Sequence, residues 1–547
     1  MSESYVRGTN TPPLLEHTIG VALERAADKW QHRAAIIAPF QNIHWTYEDL
    51  NARADALATG FLELGLEPGD RIGIWAPNCA EWTLTQFAAA KVGIILVTIN
   101  PAYRKAELDY ALNKSGCRAL VLAKAHRGVE FASMLGELIA EKKLPQLEQA
   151  ILIGGKAAEG FLAFSDIAAT KADDRVAKIG AVLNNTDAIN IQFTSGTTGS
   201  PKGATLSHRN ILNNGFFVGE AIGLSSADKL CIPVPLYHCF GMVMGNLGCL
   251  THGSAMVYPS EGFDPQAVLQ TVQDEKCTAL YGVPTMFIAE LGQSHFAEFD
   301  LSSLRTGIMA GSPCPIEVMR HVIDQMHMRE VTIAYGMTET SPVSFQSSRS
   351  DSVDRRVSTV GRVLPHVEVK IVDEHGATVP RGMPGELCTR GPSVMLGYWD
   401  DAAKTAEAID AEGWMHTGDI GTIDDEGYGN IVGRIKDMVI RGGENIYPRE
   451  IEEFLYTHPD VDDAQVIGVP DAKYGEEICA WVRMKPGKGA LDAQALRDFA
   501  TGKLAHYKIP RYVHVVDEFP MTVTGKVRKV EMRAETVKLL GLDSAEG

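Results

Sequence analysis

A run of small polar residues between Thr194 and Lys202 is the part of this sequence whose residue types most directly indicate chemistry. Its members are hydroxyl residues, glycines, a proline and a lysine: Thr194, Ser195, Gly196, Thr197, Thr198, Gly199, Ser200, Pro201 and Lys202. Glycines let backbone N–H groups approach an anion closely, hydroxyls donate further hydrogen bonds, and the lysine adds a positive charge. The run follows residues 188–193, which are mostly apolar and predict a strand. Together these features predict a loop that holds a polyphosphate.

The same composition also occurs in flexible linkers, which are rich in serine, threonine and glycine. A linker has no reason to lie between a buried strand and the helix start that residues 206–211 predict. The run is not a Walker A loop either, because that motif has a Gly-Lys-Ser/Thr triplet, whereas Lys202 lies between Pro201 and Gly203. The sequence therefore predicts a nucleotide site of a different kind from the P-loop.

Length, charge and cysteine content restrict the class of protein. A chain of 547 residues is too long for one hydrophobic core and is expected to form two or more domains. The net charge of −18 argues against a broad basic face for nucleic acid, although it is compatible with a local basic pocket. There is no C-x-x-C pair, no apolar signal-peptide core and no run of roughly 18 apolar residues. We expect a cytoplasmic protein with reduced thiols, no transmembrane segment and no nucleic-acid partner.

Segments of strand character alternate with helical segments through the first two thirds of the chain. This alternation predicts βαβ units, and hence an α/β fold with a largely parallel sheet covered by helices on both faces. Four predicted strands end at unusual residues: Leu236-Tyr237-His238, Pro284, Gly311-Ser312-Pro313 and Tyr335-Gly336-Met337-Thr338-Glu339. Ligands of open α/β sheets bind beyond the carboxyl ends of the strands. We therefore expect these ends to converge on one site.

The character of the sequence changes twice in its last third. Residues 361–433 contain short β-like segments with many turns and predict a small β-rich subdomain. A boundary follows at residues 433–437, so that a large N-terminal domain with two α/β subdomains and this β-rich part covers residues 1–436. Residues 437–547 combine an amphipathic helix with further strands and helices, and predict a compact α+β domain.

Five motifs follow one another along the chain: the loop 194–202, Tyr335-Gly336-Met337-Thr338-Glu339, Thr417-Gly418-Asp419, Gly433-Arg434 and Pro520-Met521-Thr522-Val523-Thr524-Gly525-Lys526. In this order they resemble the adenylate-forming superfamily of acyl-CoA synthetases, luciferases and peptide-synthetase adenylation domains, and the resemblance covers nearly the whole chain. Residues 191–208 and 440–448 are similar to medium-chain acyl-CoA synthetases of the mitochondrial AMP-binding type. The resemblance implies a large N-terminal domain and a small, mobile C-terminal domain.

The resemblance also implies an AMP-forming acid–thiol ligase that works in two half-reactions. A carboxylate attacks the α-phosphorus of MgATP to give acyl-AMP and pyrophosphate, and the thiol of CoA then displaces AMP. Catalysis of the first step should consist mainly of positioning and charge neutralisation, because a weak nucleophile meets a tetra-anion. The implied substrates are ATP, CoA and a medium-chain fatty acid or similarly sized apolar carboxylic acid, with Mg²⁺ as activator.

The resemblance assigns roles to the polar residues of the nucleotide site. The loop 194–202 would hold the departing phosphates, Thr338 would donate to the α-phosphate and Glu339 would bind Mg²⁺. Asp419 would accept hydrogen bonds from the ribose hydroxyls, assisted by Arg434. Taken alone, Glu339 could be a solvated surface acid and residues 417–419 an ordinary turn.

The adenine site is implied between two strand ends. The ring would stack on Tyr335, the first residue of its motif. The residues around it would be Gly336 and Met337 after the tyrosine and Gly311, Ser312 and Pro313 on the opposite wall.

The C-terminal domain is implied to exchange two sets of residues at the active site. Lys526 would bridge the carboxylate and the α-phosphate during adenylation, where its ammonium neutralises developing charge. Lys436 would be the hinge about which the domain rotates. Rotation would replace Lys526 by the CoA-binding residues Gly442, Gly443 and Glu444. Each of these segments could equally be an ordinary loop if taken alone.

His238 and its neighbours are candidates for the acyl side of the site. Adjacent Cys239 and His238 rarely point at one substrate, so a cysteine nucleophile is not expected. The resemblance makes His238 a gate between the carboxylate site and the path for CoA. Apolar residues on either side could line an acyl pocket or simply form core: Phe240, Met242, Val283 and Pro284.

Several alternatives remain at the level of sequence. The acyl acceptor could be the pantetheine of a carrier protein, and the acid could be branched, aryl or a short thioether. A luciferase-type oxygenase is a weaker alternative. A non-catalytic nucleotide sensor would keep the loop but lose Glu339 or Lys526, and both are present. The oligomeric state is open, with a homodimer as a working guess.

Overall fold

The computed structural model describes residues 2–155, 160–194, 201–312, 314–442, 444–521 and 527–542. The chain divides into two compact units. The smaller unit comprises Met1–Tyr5, Lys370–Cys388 and His416–Gly547, and the larger unit comprises Val6–Val369 and Thr389–Met415. The predicted α/β fold, with a large N-terminal and a small C-terminal part, is confirmed. The predicted boundary between residues 436 and 437 lies inside the smaller unit and stays a prediction.

The first sheet of the larger unit is mostly parallel, as the βαβ pattern predicts. Its strands run in the spatial order Leu162–Ala163, Gln149–Ile153, Cys117–Ala123, Arg71–Trp75, Ile95–Thr98, Ala188–Thr194, Lys202–Ser207 and Gly397–Tyr398. Neighbours are parallel as far as Ala188–Thr194, and the last two pairings are antiparallel. Trp75 stacks on Phe131 at 3.9 Å between ring centroids in the core of this sheet.

The strand Lys202–Ser207, between the loop and the following helix, is not predicted from the sequence. Thr194 and Lys202, on either side of the loop, are register partners of an antiparallel pair. The helix start predicted at residues 206–211 is confirmed, because the Ser207 side chain accepts from the amide of Asn210 and caps His208–Ile222. Gly203 and Ala204 are weak strand formers, so local propensity gave no sign of this strand.

The second sheet of the larger unit carries the strand ends at which the sequence predicts a site. Its strands run in the order Arg362–Val363, Val343–Gln346, Glu330–Gly336, Thr306–Ala310, Ala279–Gly282, Lys229–Cys231, Ala255–Val257, Ala34–Ala38 and Ile43–Thr46. The strands Ala279–Gly282, Thr306–Ala310 and Glu330–Gly336 are parallel neighbours. Their carboxyl ends therefore lie at one edge of the sheet, as predicted.

Helices cover these sheets and begin at identifiable caps. The α-helices of the larger unit are Ile19–Trp30, Tyr47–Glu63, Ala80–Lys91, Lys105–Ser115, Phe131–Ala140, Phe164–Ala168, Asp174–Gly180, His208–Ile222, Gly248–His252, Pro265–Glu275, Pro284–Leu291, Ile316–Gln325, Val353–Ser358 and Ala402–Ala408. Thr46 and Asp49 form a reciprocal capping box at one of them. Asp264 caps the helix Pro265–Glu275, and Pro265 occupies its first helical position. A π-helix, Phe240–Leu247, follows His238.

The smaller unit contains most residues of one sheet and all residues of another. The strands of the first run in the order Tyr5–Arg7, Glu368–Val372, Gly385–Arg390, Met415–Ile423 and Gly429–Arg434. The second joins Glu444–Ile446, Val439–Arg441, Gly475–Met484 and Val461–Asp471, and Tyr512–Val515 also pairs with Gly475–Met484. The α-helices are Pro448–Tyr456, Ala493–Ala500 and Lys529–Leu540. No helix in the described ranges combines the length and apolar character that crossing a bilayer requires.

Candidate active site

Glu339 is the centre of a polar cluster in the larger unit. It lies in the 3₁₀ turn Thr338–Thr340, immediately after the strand Glu330–Gly336, and its side chain is buried. The hydroxyl of Tyr398 donates to Oε1 of Glu339 at 2.8 Å, and the hydroxyl of Thr194 donates to the same oxygen at 3.4 Å. The Lys202 ammonium donates to the Tyr398 hydroxyl at 3.1 Å. The structure thus brings Thr194 and Lys202, the first and last residues of the loop 194–202, together with the carboxylate that is predicted to bind the metal.

Backbone hydrogen bonds explain how Tyr398 reaches this cluster. The amide of Met395 donates to the carbonyl of Glu339, and the amide of Trp399 donates to the carbonyl of Gly203. The segment between them forms the strand Gly397–Tyr398, which pairs with the strand that begins at Lys202. Main-chain hydrogen bonds on either side of Tyr398 therefore hold its side chain near Glu339 and near Lys202, the neighbour of Gly203. The Lys202 ammonium also lies 4.2 Å from the centroid of the Tyr398 ring, a cation–π distance.

The chemistry of this donor set fits Mg²⁺ and phosphate. Mg²⁺ prefers oxygen ligands, and the cluster offers a buried carboxylate oxygen with two hydroxyls directed at it. Burial and the charge of Glu339 raise the pKa of the Tyr398 hydroxyl, which therefore stays protonated and donates. Lys202 contributes a positive charge for phosphate oxygens. Glu339 could hold the metal, which would neutralise phosphate charge when bound.

The residues predicted to surround the adenine lie where two parallel strands of the second sheet end, one of which leads into the turn of Glu339. Tyr335 is half-buried near the end of its strand. Gly336 follows at a position where a Cβ atom would collide with the carbonyl oxygen of Pro342, so only glycine fits. Gly311 has a φ of +94°, in the region that favours glycine, and it leads the neighbouring strand into Ser312. Tyr335, Met337, Gly311 and Ser312 thus flank adjacent strand ends, whereas Pro313 lies outside the described residues.

Cys239 is a buried, neutral thiol. It donates to the side-chain oxygen of Gln192 at 3.1 Å. Burial, followed by the charge of Glu339, raises the pKa of this thiol to about 12. A thiolate nucleophile is therefore absent near neutral pH, in agreement with the expectation from sequence. His238 is half-buried just before the π-helix, and its Nδ1 accepts from the amide of Phe240 at 3.3 Å.

The four acyl-pocket candidates lie on two adjoining segments. Phe240 and Met242 are buried in the π-helix, and Pro284 and Val283 begin the helix Pro284–Leu291. The rings of Phe240 and Tyr281 lie 5.3 Å apart between centroids, and Tyr281 lies on the strand Ala279–Gly282 that leads into Val283. π-Helical turns often occur at functional sites. These contacts are compatible with a pocket wall and equally with core packing.

The smaller unit contains the predicted ribose residues as an ion pair. Asp419 and Arg434 are register partners on the antiparallel strands Met415–Ile423 and Gly429–Arg434. Nε of Arg434 donates to Oδ1 of Asp419 at 2.9 Å. The Asp419 side chain is 6% exposed and that of Arg434 is 56% exposed, so the guanidinium fixes one carboxylate oxygen from the solvent side.

The remaining candidates are placed individually or lie outside the described residues. Lys436 is exposed in the 3₁₀ turn Ile435–Asp437. Gly442 has a φ of +60° and donates its amide to the carbonyl of Tyr474, and Glu444 is exposed on the next strand. The candidates outside the described residues are Ser195, Gly196, Thr197, Thr198, Gly199, Ser200, Pro313, Gly443 and Lys526.

Tyr398 is a site residue that the sequence analysis missed. Its strand has only two residues, Gly397–Tyr398, and no periodicity can be recognised over such a length. The signal available in the sequence was an aromatic hydroxyl directly after a glycine, a residue that often marks an irregular strand. Its partner, Glu339, is 59 positions away in the sequence, and this pairing becomes visible only in the fold.

Tyr398→Phe is expected to weaken the use of Mg²⁺ and ATP. The substitution removes the hydrogen bond to Glu339 and the acceptor for Lys202 while it keeps the ring. Hydrogen bonds to charged groups contribute about 1.5–3 kcal/mol, so we expect roughly a tenfold to hundredfold loss in kcat/KM for MgATP. Initial rates measured over a range of Mg²⁺ concentrations check this. Tyr456→Phe removes a comparable tyrosine–carboxylate bond, to Asp463, and should leave kcat/KM unchanged; equal losses in both variants would contradict a specific role for Tyr398.

Sequence comparison identifies the family. Residues 23–399 match the family described as "AMP-binding enzyme", and residues 450–526 match "AMP-binding enzyme C-terminal domain". The chain belongs to this family of AMP-binding enzymes.

Individual relatives match over nearly the full length. "Putative acyl-CoA synthetase YngI" of Bacillus subtilis is 48% identical over 97% of this chain and 100% of its own. "Medium-chain acyl-CoA ligase ACSF2, mitochondrial" of Danio rerio is 44% identical over 99% of this chain and 92% of its own. The crystal structure of the anthranilate CoA ligase AuaEII in complex with anthranoyl-AMP has a TM-score of 0.85 and 26% identity, and the match covers 96% of this chain and 98% of AuaEII.

These likenesses confirm the prediction of an ATP-dependent, AMP-forming acyl-CoA ligase. The predicted use of ATP and CoA as substrates, with Mg²⁺ as the metal typical of the family, is likewise confirmed. The roles of individual residues and the identity of the acid stay predictions.

Proposed function

We propose that this ligase activates a medium-chain fatty acid, or an apolar carboxylic acid of similar size, as its acyl-adenylate and transfers it to CoA. The observation that carries the proposal is the convergence of Thr194, Lys202 and Tyr398 on the buried carboxylate of Glu339. The cluster lies beside both ends of the loop predicted to hold the departing phosphates, and its carboxylate would bind Mg²⁺ there. Pyrophosphate would leave from this cluster when the acid attacks the α-phosphorus.

Each part of the first half-reaction has a residue of suitable chemistry. Thr338 adjoins Glu339 in the same 3₁₀ turn, from which it would donate to the α-phosphate. Asp419 would accept from the ribose hydroxyls, with Arg434 orienting its carboxylate. Lys526 would neutralise charge on the attacking carboxylate and the α-phosphate. The arrangement consists of positioning and electrostatics, which is what a weak nucleophile and a polyanion require.

The second half-reaction would use other residues of the smaller unit. We propose that Gly442, Gly443 and Glu444 lie along the pantetheine of CoA and that Lys436 is the pivot of the intervening rotation. The φ of +60° at Gly442 supports a backbone that can lie close to a narrow ligand. His238 would gate the path between the acid and the thiol.

The apolar acid is inferred from the candidates around the π-helix. Phe240, Met242, Val283 and Pro284 are buried and uncharged, and Phe240 contacts Tyr281 across the two segments. A free amino acid would need an anionic partner for its ammonium group, and none of these four residues supplies one. The reduced state of the nine buried cysteines supports a location in the cytoplasm.

A panel of carboxylic acids at equal concentration tests the substrate. It includes straight-chain acids of increasing length together with branched, aryl, thioether and free amino acids, ranked by kcat/KM. We expect the maximum at a straight chain of medium length. Each methylene is worth about 1–3 kcal/mol in an apolar pocket, so Phe240→Ala should move the maximum to longer acids. Phe40→Ala, at an exposed aromatic residue, is the control and should leave the ranking unchanged. A maximum at a free amino acid would contradict the proposal, and one at an aryl acid would replace the substrate class.

A further inference from the structure

Three side chains with metal-binding atoms converge in the smaller unit. Glu386 and Cys388 lie two residues apart on the strand Gly385–Arg390 and therefore share a face, and His416 lies on the neighbouring strand Met415–Ile423. Nδ1 of His416 lies 2.8 Å from Oε2 of Glu386 and 3.4 Å from Sγ of Cys388. One ligand atom from each residue lies within 4.8 Å of the other two.

We propose that Glu386, Cys388 and His416 bind a divalent cation of the zinc class. Their oxygen, sulfur and nitrogen atoms form the mixed set that Zn²⁺ accepts, and a thiolate among them disfavours Mg²⁺, which takes oxygen ligands. Tetrahedral bonds to zinc of about 2.0–2.3 Å separate the ligand atoms by about 3.3–3.7 Å. The Nδ1–Oε2 separation of 2.8 Å lies below this range and the Nδ1–Sγ separation of 3.4 Å lies within it, so small side-chain rotations would complete three of four positions. Water would take the fourth.

The exposure of the three residues is suited to capture of an ion from solvent. The Cys388 side chain is fully buried, whereas those of His416 and Glu386 are 33% and 22% exposed. An ion would therefore meet the imidazole and the carboxylate first and the sulfur last. Nδ1 of His416 would bind the ion in the tautomer that carries the ring proton on Nε2. The thiol of Cys388 would release its proton to solvent, so binding would release one proton for each ion and strengthen as the pH rises.

The site is connected to the turn that carries Asp419. Oε1 of Glu386 accepts from the amide of Gly418 at 3.1 Å, and the hydroxyl of Thr417 donates to the carbonyl of Leu387 at 2.7 Å. A bound ion would fix Glu386, and through it the turn Thr417-Gly418-Asp419. If Asp419 holds the ribose, as proposed above, occupancy of the site should change the KM for ATP. Metal binding itself does not depend on that assignment.

Titration of the full chain with Co²⁺, without ATP, tests the site independently of catalysis. We expect a thiolate-to-cobalt charge-transfer band that saturates at one ion per chain and disappears when an equivalent of Zn²⁺ is added. Cys388→Ser should abolish the band, and His416→Gln should weaken Co²⁺ binding about tenfold or more. Cys479→Ser, at another buried cysteine of the smaller unit, is the matched control and should retain the band. Glu386→Gln is a second variant, should Cys388→Ser fail to fold.

The outcomes are distinguishable. Absence of the thiolate band at Co²⁺ concentrations well above that of the protein would overturn the proposal, as would a band that survives Cys388→Ser. A saturable band with an unchanged KM for ATP would support the site and refute its coupling to the Asp419 turn. A Zn²⁺-dependent change in the KM for ATP that is lost in His416→Gln would support both.

Discussion

Lys526→Ala is expected to abolish formation of acyl-AMP while thioester formation from supplied acyl-AMP stays largely intact. The ammonium of Lys526 would bridge an oxygen of the carboxylate and an oxygen of the α-phosphate, two anionic groups that are brought together only while the carboxylate attacks the α-phosphorus. Loss of such a transition-state contact costs about 10³-fold or more in rate. The second half-reaction would use Gly442, Gly443 and Glu444 instead, and it has no step that requires this lysine.

The two half-reactions can be measured separately in the same variant. Acid-dependent release of pyrophosphate reports the first, and acyl-CoA formation from synthetic acyl-AMP reports the second. Lys503→Ala, at an exposed lysine in the same part of the chain, is the matched control and should leave both rates unchanged. An equal loss of both half-reactions in Lys526→Ala would refute the assigned role.

Glu339→Gln is expected to lower the rate of adenylation by about 10²–10³-fold and to remove its saturation with Mg²⁺. The amide keeps the size of the side chain and one oxygen, but it loses the negative charge that would hold the metal. The hydroxyls of Tyr398 and Thr194, which now donate to Oε1, would then face a neutral group. Rates of pyrophosphate release over a range of Mg²⁺ concentrations measure the effect.

A carboxylate on the same strand provides the control for this substitution. Glu330 begins the strand Glu330–Gly336 and pairs with Arg305 at 2.9 Å, at the end away from the 3₁₀ turn of Glu339. Glu330→Gln should leave the Mg²⁺ dependence as it is. Normal adenylation by Glu339→Gln at ordinary Mg²⁺ concentrations would show that another group holds the metal.

Helix starts and buried strands can be predicted from the sequence when they depend only on residues that are close together in the chain. Asp264 followed by Pro265 predicts a helix start because both residues act on the first turn, and the helix Pro265–Glu275 begins there. The strands Cys117–Ala123 and Thr306–Ala310 are mostly apolar and buried, a composition that predicts a strand from the local sequence alone. Glu339 could also be identified as a candidate site residue from a local signal, because its motif directly follows a predicted strand.

Features that depend on pairing between distant segments have no such signal. The strand Lys202–Ser207 forms because it pairs with Ala188–Thr194. Its glycine and alanine have low strand propensity, so the sequence does not predict it. Tyr398 reaches Glu339 only because a two-residue strand adds to that hairpin. Glu386 and Cys388 share a face through the period of a strand, but His416 joins them from a neighbouring strand. Register between strands, rather than composition, determines these contacts.

The central claim is that this chain forms an acyl-adenylate before any thiol arrives, and a single-turnover experiment tests it most directly. Enzyme in excess is mixed with octanoate and ATP labelled at the α-phosphate, first without CoA and then with it. We predict that the label passes into acyl-AMP as pyrophosphate appears, and that CoA then converts the intermediate into acyl-CoA and AMP. Formation of ADP, or the absence of any labelled intermediate until CoA is added, would contradict the account.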